Sequence, residues 1–218
     1  MRCKILLITR SVLTEEFFHA VAEALKGLDA DLKTLYLESY DVDDVARELS
    51  MVETPDVVLL SLMGDRRELL QLLEERFKEA RAVFPLSTGG EVLMLPKVRG
   101  IYLGNYLNEA LSPLRGVTGS SFFDPKELAS AIRNASRTAN CPAARYLEDW
   151  ALLVEYWHNF RVENIVNMMR LILRNYCELP VPEPQPPVIL GDYWVEDSNG
   201  FFGSAKEYLS QKGDRRPS

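Results

Sequence analysis

The chain is predicted to adopt an α/β fold, in which a parallel sheet carries helices on both faces and is followed by a helical extension. Two patterns predict it. In residues 1–90, short apolar runs without polar alternation, typical of strands buried on both faces, alternate with segments of helical apolar spacing. Such repeated units favour parallel pairing, because parallel neighbours need crossover connections. From residue 125 onward helical spacing takes over.

Lys4 to Thr9 is the first strand. Ser11 or Thr14 can cap a helix in which Phe17, Phe18, Val21, Ala24, Leu25 and Leu28 share a face, ending near Gly27. Leu32 to Leu37 reads as a second strand, and Asp41 or Asp43 caps a short helix carrying Val42, Val45, Ala46 and Leu49. Pro55 opens the strongest buried-strand run, Asp56 to Leu62, which Gly64 breaks. Asp65 and Glu68 form a capping-box pattern ahead of Leu69, Leu70, Leu72, Leu73 and Phe77. Ala82 to Leu86 is a fourth strand and Ser87 to Gly90 a loop. Between Gly90 and Gly119 no period is legible.

Asp124, Pro125 and Glu127 supply an N-cap oxygen, a preset first helical φ and a reciprocal acceptor for a helix to about Arg137. Two further helical patterns follow, one from Pro142 through Trp150 to Trp157 and one from Val162 to Tyr176, read as an antiparallel pair. Residues 180–187 hold five prolines, which exclude helix and central strand and predict a stiff polyproline-type connector. After it come Val188-Ile-Leu190, an aromatic turn around Tyr193 and Trp194, and a short helix from about Ser204 to Gln211. The expected divisions are an α/β head over 1–124, a helical region over 125–178, and a connector with the start of a further segment over 179–218.

A net charge of −7, with an isoelectric point near 5.0, argues against a dedicated nucleic-acid binder. The N-terminal apolar run, Ile5 to Ile8, is too short for a signal peptide or a membrane span. Cys3, Cys141 and Cys177 are odd in number and widely spaced, which together with the missing leader reads as a cytoplasmic protein. With only His19 and His158 besides these cysteines, no metal site is expected.

In open α/β sheets, ligands bind outside the carboxyl ends of the strands, near a switch in strand order. The residues expected there are Arg10 and Ser11 after the first strand, Gly64, Asp65 and Arg66 after the third, and Ser87, Thr88, Gly89 and Gly90 after the fourth. Neither a GxGxxG fingerprint nor a P-loop is present. His158 reads as a capping or surface histidine between two helices. Tyr146, Trp150, Tyr156, Trp157 and Tyr176 could line a pocket for a flat macrocycle, but their helical spacing favours core. No catalytic residue is identified.

The order of segments carries a resemblance. Val83 to Gly100, Tyr156 to Tyr176 with Glu163-Asn164, the Pro180–Pro187 run with Leu190-Gly-Asp-Tyr193, Phe201 to Leu209, and the closing Asp214-Arg-Arg-Pro217 together resemble the large subunit of the cobaltochelatase and magnesium chelatase family. The likeness spans residues 80–218 best, and residues 1–79 only by fold type. It implies the N-terminal region of a much longer tetrapyrrole-binding subunit. Such a subunit works with separate AAA+ partner subunits that hydrolyse ATP with Mg²⁺, and inserts Co²⁺ or Mg²⁺ as substrate into a corrin or porphyrin. The resemblance places the metal-handling residues in the missing body, so this region is expected to bind macrocycle or subunits without catalysis and without a cofactor of its own. The alternative from the residues alone is a free-standing flavodoxin- or Rossmann-like module for a nucleotide, a flavin or a phosphorylated metabolite.

Overall fold

The computed structural model describes residues 2–11, 13–38, 41–62, 67–86, 91–107, 124–140 and 142–189, together with the backbone of 195–197 and 200–202. The elements run β1 (Cys3–Thr9), α1 (Glu15–Leu25), β2 (Ala30–Tyr36), α2 (Val42–Ser50), β3 (Val57–Ser61), α3 (Arg67–Arg76) and β4 (Ala82–Pro85). A 3-10 turn (Glu91–Met94), β5 (Lys97–Val98), β6 (Ile101–Tyr102) and a second 3-10 turn (Leu103–Tyr106) follow. The chain then forms α4 (Pro125–Thr138), α5 (Ala143–His158), α6 (Val162–Asn175) and a hairpin of β7 (Val195–Asp197) and β8 (Gly200–Phe202). The expected helix over 204–211 lies outside the described residues.

The main sheet has the order β2-β1-β3-β4-β5-β6, parallel through β4 and antiparallel beyond it. This is the α/β fold expected, of flavodoxin- or Rossmann-like type. Alternating side chains of β1 enter opposite cores, because successive strand residues point to opposite faces. Ile5 and Leu7 join Val57, Leu59 and Phe84 beneath α1 and α4 to α6, whereas Leu6 and Ile8 join Val58, Leu60 and Val83 beneath α2 and α3. The core is therefore continuous across residue 124. The helical region covers one face of the sheet.

Local chemistry fixes the helices. Thr14, Asp41 and Asp124 cap α1, α2 and α4 by accepting backbone N–H bonds. Arg76 donates to Val52 O at 2.5 Å and Leu49 O at 3.3 Å, closing the end of α2. Lys97, buried on β5, donates to Phe77 O and Lys78 O just past α3, where a cation complements the negative helix end. Arg133 of α4 grips Glu155 of α5 through two parallel bonds of 2.5 and 2.6 Å. Arg145 reaches Asn175 at 3.3 Å, joining the start of α5 to the end of α6 as an antiparallel pair requires.

Residues 91–107, the described part of the stretch that showed no period, hold compact, irregular structure. β5 and β6 are two residues each, joined by Arg99 and Gly100 at φ 47° and 83°, and such positive values suit a two-residue hairpin turn. Gly104 presses the second 3-10 turn against the first: a Cβ there would stand 2.7 Å from Met94 O.

The cysteines are not independent of one another. Cys3, opening β1, and Cys177, two residues past α6, form a disulfide across 174 residues of sequence. Both are buried. Their wide spacing concealed this pairing, because it is the fold that brings the two ends together. No helix among the described residues is long and apolar enough to cross a membrane.

Candidate functional site

The sheet itself sets the site. Strands β1, β3 and β4 are parallel neighbours in register, with Ile8 beside Leu60 and Leu60 beside Pro85, so their following loops leave from one edge. The chain moves to β2 on one side of β1 and to β3 on the other, which opens a crevice at their carboxyl ends.

Of the nine residues expected there, the structure locates two. Arg10 and Ser11 are exposed at the end of β1. The Thr9 hydroxyl, fully buried, accepts the Ser11 N–H at 3.0 Å and turns the chain over the edge. Arg10 reaches across the end of β2 to Glu38 O at 3.4 Å. Gly64, Asp65, Arg66, Ser87, Thr88, Gly89 and Gly90 lie outside the described residues, between β3 and α3 and directly after β4.

The opposite flank of the edge comes from α5. Trp150 Nε1 donates to Pro85 O at 2.7 Å, and His158 Nε2 lies 2.7 Å from Leu86 O, so two side chains two turns apart on one helix hold the exit of β4. Burial holds the His158 imidazole below its ordinary pKa, against opposing pulls from the Leu86 carbonyl and the Asp124 charge. The neutral ring therefore donates from Nε2 and keeps Nδ1 as an acceptor. Two strand spacings put this flank about 10 Å from the end of β1.

Beneath the edge, α1 and the end of α5 are joined by aromatic contacts. Phe17 stacks on Phe160 with centroids 6.2 Å apart and meets Trp157 edge-on at 6.0 Å. Glu15 and Glu16 occupy the first turn of α1, so that positive helix end already faces negative charge and offers little to a phosphate.

The aromatic set considered for a macrocycle is mainly core. Trp150, Tyr156 and Tyr176 are fully buried, and Tyr176 packs edge-on against Phe84 at 5.1 Å. His19 is exposed on α1. Among the described residues no group of three His, Cys, Asp or Glu side chains could hold a metal ion.

A cavity of about 250 Å³ lies at the other, amino edge of the sheet, lined in part by Lys4, Asp31, Lys33 and Glu53. Lys4 and Glu53 pair there at 2.5 Å, and each raises or lowers the other's pKa toward the charged form. Its charge is largely spent internally.

The carboxyl edge thus offers the Arg10 guanidinium and the Ser11 hydroxyl, with the neutral His158 imidazole held against Leu86 O on the far flank. That combination suits hydrogen bonding to a polar or carboxylate-bearing rim. The expected capping or surface role of His158 is corrected: the helix cap is Asn159, and His158 is half-buried against Leu86 O, a backbone carbonyl with no sequence signature. No protein-family model and no curated protein matches this chain.

Proposed function

We propose that this chain is the N-terminal region of the large subunit of an ATP-dependent cobalt or magnesium chelatase, serving macrocycle binding or subunit contact without catalysing insertion. One observation supports the reading above others. The separate segments that resemble the family are bonded to one another: Leu86 O to His158, Tyr156 to Gln185 O, and Asn167 to Gln185 N–H. Segments that work as one unit are expected to be recognisable together.

In this reading the carboxyl edge takes the polar rim of a tetrapyrrole, with Arg10 and Ser11 as donors and the rest of the large subunit enclosing the ring. AAA+ partners supply ATP hydrolysis with Mg²⁺, and Co²⁺ or Mg²⁺ is the substrate metal. The setting in this reading is cytoplasmic; the Cys3–Cys177 disulfide, which overturns the expectation of unpaired cysteines, counts against it, because reducing compartments rarely keep such bonds.

Titration of the intact chain with a metal-free porphyrin or corrin tests the binding half. A shifted ligand absorption band and quenched tryptophan emission are expected, both weakened in Arg10→Ala. No spectral change at high micromolar ligand would remove macrocycle binding, and co-purification with the AAA+ subunits then decides the contact half.

A second reading, a flavodoxin-like module for a nucleotide, a flavin or a phosphorylated metabolite, draws on the parallel order β2-β1-β3-β4. A yellow purified protein, or a thermal shift with flavin mononucleotide and none with porphyrin, would favour it.

A further inference from the structure

The proline-rich segment is gripped along its length by side chains of α5 and α6. In residues 181–188, Val181 is buried and Pro184 and Pro187 are half-buried, while the residues between them are exposed. Contact at every third residue is the signature of a left-handed polyproline helix, which has three residues per turn. The backbone bonds keep the same period. Gln185 N–H donates to Asn167 Oδ1 at 3.1 Å and Gln185 O accepts from the Tyr156 hydroxyl. Three residues on, Val188 N–H donates to Asn164 Oδ1 at 2.9 Å and Val188 O accepts from Asn164 Nδ2 at 2.8 Å. Arg174 donates to Val181 O at 3.3 Å.

A polyproline helix has no internal hydrogen bonds, so these groups must be met from outside. Here they are met by amide and phenol side chains. Asn164 is fully buried, and its second amide hydrogen goes to Asn159 O at 2.5 Å, which fixes its orientation toward the segment. Asn167, also buried, is aimed likewise by donating to Glu163 O at 2.9 Å. Burial pushes the Tyr156 phenol up to about 12, keeping it a donor across the working pH range. A passive spacer needs no such receptor.

We propose that the α5–α6 face is a polyproline-recognition surface whose ligand is residues 181–188 of the same chain, docked as a separable strap. Extended proline segments are recognised elsewhere in this manner, because little order remains to be imposed on them when they bind. The surface fits a left-handed, proline-containing segment that presents a backbone N–H and C=O at two positions three residues apart. Whatever follows residue 189 is then positioned by a docking equilibrium as well as by the covalent chain.

The test uses the full-length chain throughout. In Asn164→Ala/Asn167→Ala, amide exchange at Gln185 and Val188 is expected to accelerate at least tenfold. Protection of Leu171 to Leu173 in α6 should persist. If the double variant loses α6 protection, Tyr156→Phe is read in its place, with faster exchange confined to 183–188. Separately, Pro184→Gly/Pro187→Gly weakens the strap and leaves the receptor intact. A fluorophore-labelled peptide of residues 180–189 should bind that variant at least tenfold more tightly than wild type, where the tethered strap competes at an effective concentration of order millimolar. Adding the two asparagine substitutions should abolish the binding. Unchanged strap protection in the asparagine and tyrosine variants, or no peptide binding to the glycine variant, would overturn the proposal.

Discussion

Arg99 and Glu178, the two non-glycine residues with left-handed backbone among those described, are ion-pair partners at 2.9 Å. One sits at the tip of the β5–β6 hairpin. The other turns the chain from the end of α6 into the strap. Both side chains are half or more exposed, so the pair itself is worth at most about 1 kcal/mol.

Strain at Glu178 therefore outweighs its charge. A left-handed residue with a Cβ costs roughly 1–2 kcal/mol, which glycine avoids. Glu178→Gly is expected to match wild type within about 1 kcal/mol, since relief of strain offsets the lost pair and the added unfolded-chain entropy. Glu178→Ala loses the pair and keeps the strain, so it should be the less stable of the two. Denaturant midpoints would show the order, and Ala above Gly would refute the account.

The Cys3–Cys177 bond closes a long loop, and cross-links of long loops restrict the unfolded chain most. Cys3→Ser/Cys177→Ser should lose about 2–5 kcal/mol in denaturant unfolding. Thiol titration of the denatured, unreduced chain should find one reactive cysteine, and three after reduction. Three before reduction would show that the bond does not form.

Asp149 and His158 shift in opposite senses and should tilt stability with pH in opposite directions. Burial raises the Asp149 carboxyl, although the Tyr176 hydroxyl at 2.7 Å and the Asn175 amide at 3.0 Å pull it back. Its contribution is full below the ordinary carboxyl value and is lost as pH rises through the folded one. The His158 contribution is full above about pH 6.5 and is lost as pH falls through its lowered folded value. Unfolding measured across pH should show a flatter slope just below pH 6.5 in His158→Gln, and a flatter carboxyl-range slope in Asp149→Asn. Unchanged slopes would mean that neither group feels the burial described.

Gly104→Ala would drive a Cβ to 2.7 Å from Met94 O, a backbone atom that cannot swing aside. The loss expected is about 1–3 kcal/mol, read as a lowered thermal midpoint with the fold retained. A neutral substitution would show that the two 3-10 turns can part freely.

The parallel sheet was legible because β1 and β3 are covered on both faces and so read as unbroken apolar runs. The start of α4 was legible because Asp124 and Pro125 announce it locally. What sequence withheld depends on distance or on backbone. β5 and β6 are too short for any period, and their turn opens with Arg99 where a glycine or asparagine would have signalled a hairpin. Cys3 and Cys177 meet only after α6 has packed over β1. At the candidate site, Arg10 and Ser11 stand at the expected edge, but the hold of His158 on Leu86 O involves no side-chain partner to read. The prolines of the strap were plain, whereas nothing in the sequence marks Asn164 and Asn167 as its receptors, because their partners are backbone groups far along the chain.

The disulfide also changes what breaking the chain means. Residues 3 to 177 form a covalent ring, from which the strap and all that follows leave as a tail. A single backbone cut inside the ring, even in the stretch between the second 3-10 turn and α4, opens the loop without parting the molecule. Nicked protein should therefore migrate as one band until a reductant is added, and only cuts beyond Cys177 should release a piece at once.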